Sequence, residues 1–203
     1  CSYNNCNFYS QFHIRHSQIL NLMLSIVQIK CHIVAFYFMK SSDVFRKRNL
    51  TNVNFEYEDL IGRDFSDSNL SGVNLKERDI HHADMSCCDL SRADLNGAIL
   101  FSVKLRGSDM RQINLSNAKL WDAELYGAIL RDANLMSADL FFSDLRTADL
   151  TNANLCGVNL RHANFDGAIL ESVNFQGANY DSNTFDTLPD SVKSVLKEQG
   201  NLW

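Results

Sequence analysis

From Phe45 to Phe185 every fifth residue is large and apolar, without a miss. The series runs Phe45, Leu50, Phe55, Leu60, Phe65, Leu70 and onward to Leu170, Phe175, Tyr180 and Phe185, and 19 of its 29 members are Leu. A second series sits two residues earlier. From Ala83 to Ala178 all 20 of its positions are small or β-branched: 13 Ala, three Val, two Ser, Cys88 and Ile113. A period of five fits neither the 3.6 of an α-helix nor the 2 of a strand. A chain that buries every fifth residue must therefore turn a corner once per repeat.

The repeat reads "SRADL NGAIL", "RDANL MSADL", "RTADL TNANL" and "RHANF DGAIL". It resembles the pentapeptide-repeat family, whose motif is A(D/N)LXX. The resemblance implies an all-β fold, a right-handed quadrilateral parallel β-helix or solenoid. Four pentapeptides make one square coil of 20 residues, with the core residue and the small residue before it pointing inward. Residues 45–185 then supply about seven coils, a rod of roughly 34 Å at ~4.8 Å per coil. The residues agree with this geometry. All eight Gly within the repeat, such as Gly97 and Gly127, fall two residues after a core residue, where the family places its corner. Glycine enters the backbone conformations of tight corners without steric penalty. The single Pro, Pro189, lies beyond the repeat, as expected where most N–H groups bond to a neighbouring coil. Such a tube buries its ladders only by stacking, so its stability is nearest-neighbour in character and both ends need covering.

Residues 1–38 lack the repeat and begin with Cys. They hold an apolar run around Ile19–Met39, broken by Asn21, Gln28, Lys30 and His32. That makes a poor membrane span, and no small-residue cleavage site of a secretory signal is present. The expectation is an extension irrelevant to the fold, with Met39 as a natural start; a weak membrane or targeting segment is the alternative. The repeat domain is placed at 39–186 and a C-terminal element at 187–203.

That C-terminus, "DTLPDSVKSVLKEQGNLW", reads as one short helix. Thr187 serves as N-cap, Pro189 and Asp190 suit the first turn, and Val192, Val195 and Leu196 form the apolar stripe. Lys193 and Lys197 lie toward its end and Gly200 stops it. The expected role is a lid on the last open coil, which would otherwise expose apolar surface and unpaired strand groups. Family resemblance also implies a homodimer through this end, and the two roles are compatible.

The net charge of −5 gives no basic stripe, which argues against direct nucleic-acid binding. The six Cys do not pair: Cys88 is inward, Cys87 and Cys156 face outward about three coils apart, and Cys1, Cys6 and Cys31 lie outside the repeat. A reducing, cytoplasmic setting is the simplest reading.

Residues 20 apart stack in columns. The column Asn54, Asn74, Asp94, Asn114, Asn134, Asn154, Asn174 reads as a side-chain amide ladder. Polar residues enter the inward small position only near the start, at Arg48, Glu58, Arg63 and Arg78. This marks wide or frayed first coils, with a Glu58–Arg78 ion pair inside them. The most informative outward column reads Ile61, His81, Phe101, Trp121, Phe141, Arg161, with Phe142 adjacent and His82 and His162 flanking. It is placed on a flat face. Consecutive exposed aromatics of this kind form a binding surface for a protein partner or a second copy, or else pack only as a ladder. The candidate partner-binding residues are Phe101, Trp121, Phe141, Phe142, His81 and Arg161.

His82, Ser102 and Asp122 share a column, but a hydrolase needs His between Ser and Asp, and here Ser is central. His81–His82 lacks Cys or carboxylate neighbours at ligand spacing. No enzymatic activity, cofactor or metal is expected. The leading expectation is a rigid, non-catalytic interaction scaffold. The alternative, from the resemblance, is a DNA-mimicking protein that binds and protects topoisomerase (gyrase). Against it stand the bases mixed among the outward acids, including Arg106, Arg111, Arg131 and Arg146.

Overall fold

The computed structural model describes residues 45–198; the expectations for residues 1–38, the boundary at Met39 and the stop at Gly200 lie outside the described residues. Parallel bridges join residues 20 apart, from Asn49–Asn69 in the first coils to Asn159–Asn179 in the last. Each falls at the residue just before a core residue; Asp94, for one, bridges to Asn74 on one side and to Asn114 on the other. Each wall is thus a parallel stack of one-residue strands. At Leu100 the N–H donates to Lys119 O (2.8 Å), while the Lys119 N–H donates to Ala98 O (2.9 Å) and the Ser102 N–H to Trp121 O (2.9 Å). The Val103 N–H closes the corner on Leu100 O at 3.3 Å. The structure is a β-helix.

The two residues after each core residue form the turn, and the second of them takes positive φ at every corner from Gly62 to Gly177. Most of these residues are not glycine: 17 described non-Gly residues have positive φ, against eight Gly. The ladder bonds therefore impose the left-handed conformation on side chains that ordinarily avoid it. Asn or Asp before the core residue caps the turn, accepting the N–H two residues on, as Asp84 does from Ser86 (3.0 Å) and Asp139 from Phe141 (3.1 Å). This is the Asx hydrogen bond, and it explains the D/N of the repeat.

Core residues from Leu70 to Leu160 are fully buried, with the small residues beside them. Inward hydroxyls and thiols are satisfied by main-chain carbonyls: Cys88 Sγ donates to Phe65 O (2.9 Å) and Ser108 Oγ to Met85 O (2.7 Å) of the preceding coil, and Ser143 Oγ to Leu140 O (2.7 Å) in its own turn. Burial pushes the Cys88 thiol up to about 12. The amide ladder forms: Asn114 donates to Asp94 (2.9 Å), Asn134 to Asn114 (3.2 Å) and Asn174 to Asn154 (3.1 Å).

The pattern lapses between Val53 and Leu60. Among the described residues no bridge joins Asn54 to Asn74 or Asp59 to Asp79. Arg78 occupies the gap, donating from Nη1 to Glu56 O and from Nη2 to Glu58 O, both at 2.7 Å. The expected Glu58–Arg78 ion pair is therefore corrected: the guanidinium binds main-chain carbonyls. An apolar bore cannot satisfy its five donors, so the side chain leaves between coils. Phe45 stacks on Phe65 (4.7 Å), and Phe55 meets both edge-on.

The single C-terminal helix expected from Thr187 onward is also corrected. The repeat stops at Tyr180, and two helices follow: α1 (Ser182–Thr187) and α2 (Asp190–Glu198). The helix expected after Thr187 is α2, which begins at Asp190. The additional helix is α1, and Asp181 is its N-cap, the carboxylate accepting the Thr184 N–H at 3.0 Å. Phe185 continues the five-residue count yet sits on a helix, buried against Tyr180 with ring centroids 6.1 Å apart. Thr187 ends α1 and accepts the Phe165 N–H at 3.0 Å. Thr184 Oγ1 donates to Leu160 O (2.6 Å), tying α1 to the coil above.

Candidate functional site: an aromatic corner

The outward aromatic column lies on a corner of the tube, not on a flat wall. Both residues after each core residue belong to the turn, so Phe101, Trp121 and Phe141 are first turn residues and Ser102, Asp122 and Phe142 second ones. Phe101 meets Trp121 edge-on at 5.8 Å, and Trp121 meets Phe141 at 6.2 Å. Phe141 contacts Phe142 at 5.4 Å, and His162 packs on both, at 5.4 and 5.2 Å. Each aromatic pair contributes about 0.5–1.5 kcal/mol beyond area burial. The surface nevertheless stays open: Trp121 is 49% and Phe142 57% exposed.

Two local rules are broken here. Phe142 has φ +63°, and it is the one large apolar side chain among the described left-handed corner residues. For a bulky residue this conformation costs roughly 1–2 kcal/mol. Ile99 and Lys119 also replace the Asx acceptor, so the N–H groups of Phe101 and Trp121 have no protein acceptor among the described residues.

The other candidates stand apart from this cluster. His81 Nδ1 lies 2.6 Å from Asp79 Oδ1, and its ring meets His82 at 5.1 Å. Burial pushes the Asp79 carboxyl up, but its hydrogen bonds and charge contact with His81 outweigh this and hold it below the ordinary value. Arg161 is exposed beyond Phe141, without an ion pair among the described residues. Ser102 Oγ donates to Asp122 Oδ2 at 2.9 Å, and no bond joins Ser102 to His82. No group of three metal-ligating side chains occurs among the described residues.

His162 has a further role that sequence reasoning missed. Its ring nitrogen lies 3.2 Å from Asp181 Oδ2 and 2.9 Å from Asn183 Nδ2. Burial raises the Asp181 carboxyl, yet hydrogen bonds from Thr184 and His162 prevail and hold it below the usual aspartate value. The signal was present in the sequence as Asp181 three residues before Thr184, an N-cap spacing.

A tube of stacked pentapeptides with an exposed aromatic ridge defines a repeat solenoid. The pentapeptide-repeat model matches eight copies over residues 49–86, 79–112, 113–152 and 148–179, and the chain belongs to the pentapeptide-repeat family, whose members form right-handed β-helices. No curated protein matches the sequence. Among solved structures, the chain is similar to HetL, a protein involved in heterocyst differentiation regulation from Nostoc sp. strain PCC 7120, at 30% identity and TM-score 0.47. That match covers 66% of this chain, which spans 56% of HetL. Rfr23 from Cyanothece 51142 is 27% identical, with 57% and 88% of the two chains covered and TM-score 0.26. A trypsin-treated form of QnrB1, a plasmid-mediated fluoroquinolone resistance protein, is 20% identical, with 71% and 83% covered and TM-score 0.37.

Proposed function

We propose that this chain is a non-catalytic scaffold of about seven coils, covered at its C-terminal end by α1 and α2, that binds a protein partner through the corner carrying Phe101, Trp121, Phe141 and Phe142. The observation that carries this reading is Phe142, a bulky ring held exposed in a left-handed backbone conformation. Pure ladder packing gives no reason to place it there. Strained residues persist where the surrounding structure over-determines them, and they cluster at functional sites. Any self-association through the C-terminal end involves α1 and α2.

Mimicry of DNA has weaker support. Acids along the rod are matched by bases, as in Arg106–Glu124 (2.7 Å), Arg131–Asp149 (2.6 Å) and Arg146–Asp144 (2.7 Å), which removes the uniform acidity such a mimic needs. Among the described residues no helix is long and apolar enough to cross a membrane.

The test is co-purification from the native host with the wild-type chain and the Trp121→Ser/Phe141→Ser variant in parallel. A partner retained by the first and lost by the second is expected; equal recovery by a folded variant refutes the reading.

A further inference from the structure

We infer that the aromatic corner is a receptor for an arginine side chain of the partner. This rests on the reading above and adds the chemistry that the site selects. Phe101, Ser102, Trp121, Asp122, Phe141 and Phe142 line one open groove, with His82 at its edge. Asp122 is the only carboxylate among these lining residues. Its Oδ2 accepts from Ser102, and no cation pairs with it among the described residues. On the wall that follows the corner Asp84, Glu124 and Asp144 are matched with Lys104, Arg106 and Arg146, and on the wall before it Asp139 accepts from Asn159 Nδ2 at 2.8 Å. An unpaired carboxylate beside several ring faces is complementary to a cation, which is attracted both by the rings and by the charge. Among cations, a guanidinium suits it best. It is planar, stacks on aromatic faces, sheds water more readily than an ammonium and still presents donors to a carboxylate.

The probes are N-acetyl-arginine amide, its neutral isostere N-acetyl-citrulline amide and N-acetyl-lysine amide, titrated against the full chain carrying Trp203→Phe. The readout is the indole N–H resonance of Trp121. Arginine is expected to shift it with about tenfold tighter binding than citrulline, the combined scale of an exposed cation–π contact and an exposed ion pair, and lysine to fall between. Asp122→Asn is expected to abolish the preference for arginine over citrulline. Asparagine tolerates the left-handed conformation as aspartate does, so the corner survives this change.

Equal binding of arginine and citrulline, tightest binding by lysine, no shift with any probe, or an undiminished preference in Asp122→Asn each overturns the inference. None of these results touches the scaffold reading, which fails only if the partner is recovered equally by the Trp121→Ser/Phe141→Ser variant.

Discussion

Phe142 and His162 lie one coil apart at the same corner position, both with positive φ, and their rings meet at 5.2 Å. His162 in turn contacts Asp181, the N-cap of α1. The aromatic corner and the C-terminal helices are thereby joined through one imidazole.

Replacing Phe142 separates binding from stability. Phe142→Gly relieves a left-handed strain of roughly 1–2 kcal/mol and forfeits ring contacts of about the same size. Thermal stability should stay within about 1 kcal/mol of wild type, while partner recovery falls. A large drop in Tm with binding intact would contradict this.

Arg78→Ala should close the first coil. The guanidinium leaves the gap, and the main-chain groups of Phe55, Tyr57 and Asp79 become free to complete the ladder. A gain of about 1 kcal/mol is expected, the scale of a net hydrogen bond or two. Hydrogen exchange at Phe55 and Tyr57 measures it; unchanged or faster exchange counts against the account.

Leu120→Ala leaves a cavity in mid-tube, where neighbouring coils cannot collapse. The loss should be about 2–5 kcal/mol, read by denaturant unfolding. The same change at Leu170, already 8% exposed near the end, should cost less. Equal losses would refute nearest-neighbour behaviour.

Acid should destabilise the helix junction. The Asp181 carboxyl titrates lower folded than unfolded, so the unfolded chain binds the extra proton. Its contribution is complete above the unfolded value of about 3.9 and is lost as pH falls through the folded one. Melting temperature should drop in that window, and Asp181→Asn should flatten the drop. An identical profile for the variant would disprove this.

The five-residue recurrence of Leu, with Ala two places before it, specified the tube, its columns and the amide ladder, because no other backbone path buries that pattern. The residues gathered at the aromatic corner could be read for the same reason, since side chains one coil apart share a column. Three matters emerged only once the coils were stacked. Arg78 reaches carbonyls rather than Glu58 because the first coil can open to admit it. Phe185 keeps the count yet sits on a helix because Asp181 caps a new element. The aromatic column occupies a corner because ladder hydrogen bonds fix where the turn falls. Spacing along the chain sets which side chains are buried together; the competition among backbone hydrogen bonds sets where the chain bends and which groups are left to face outward.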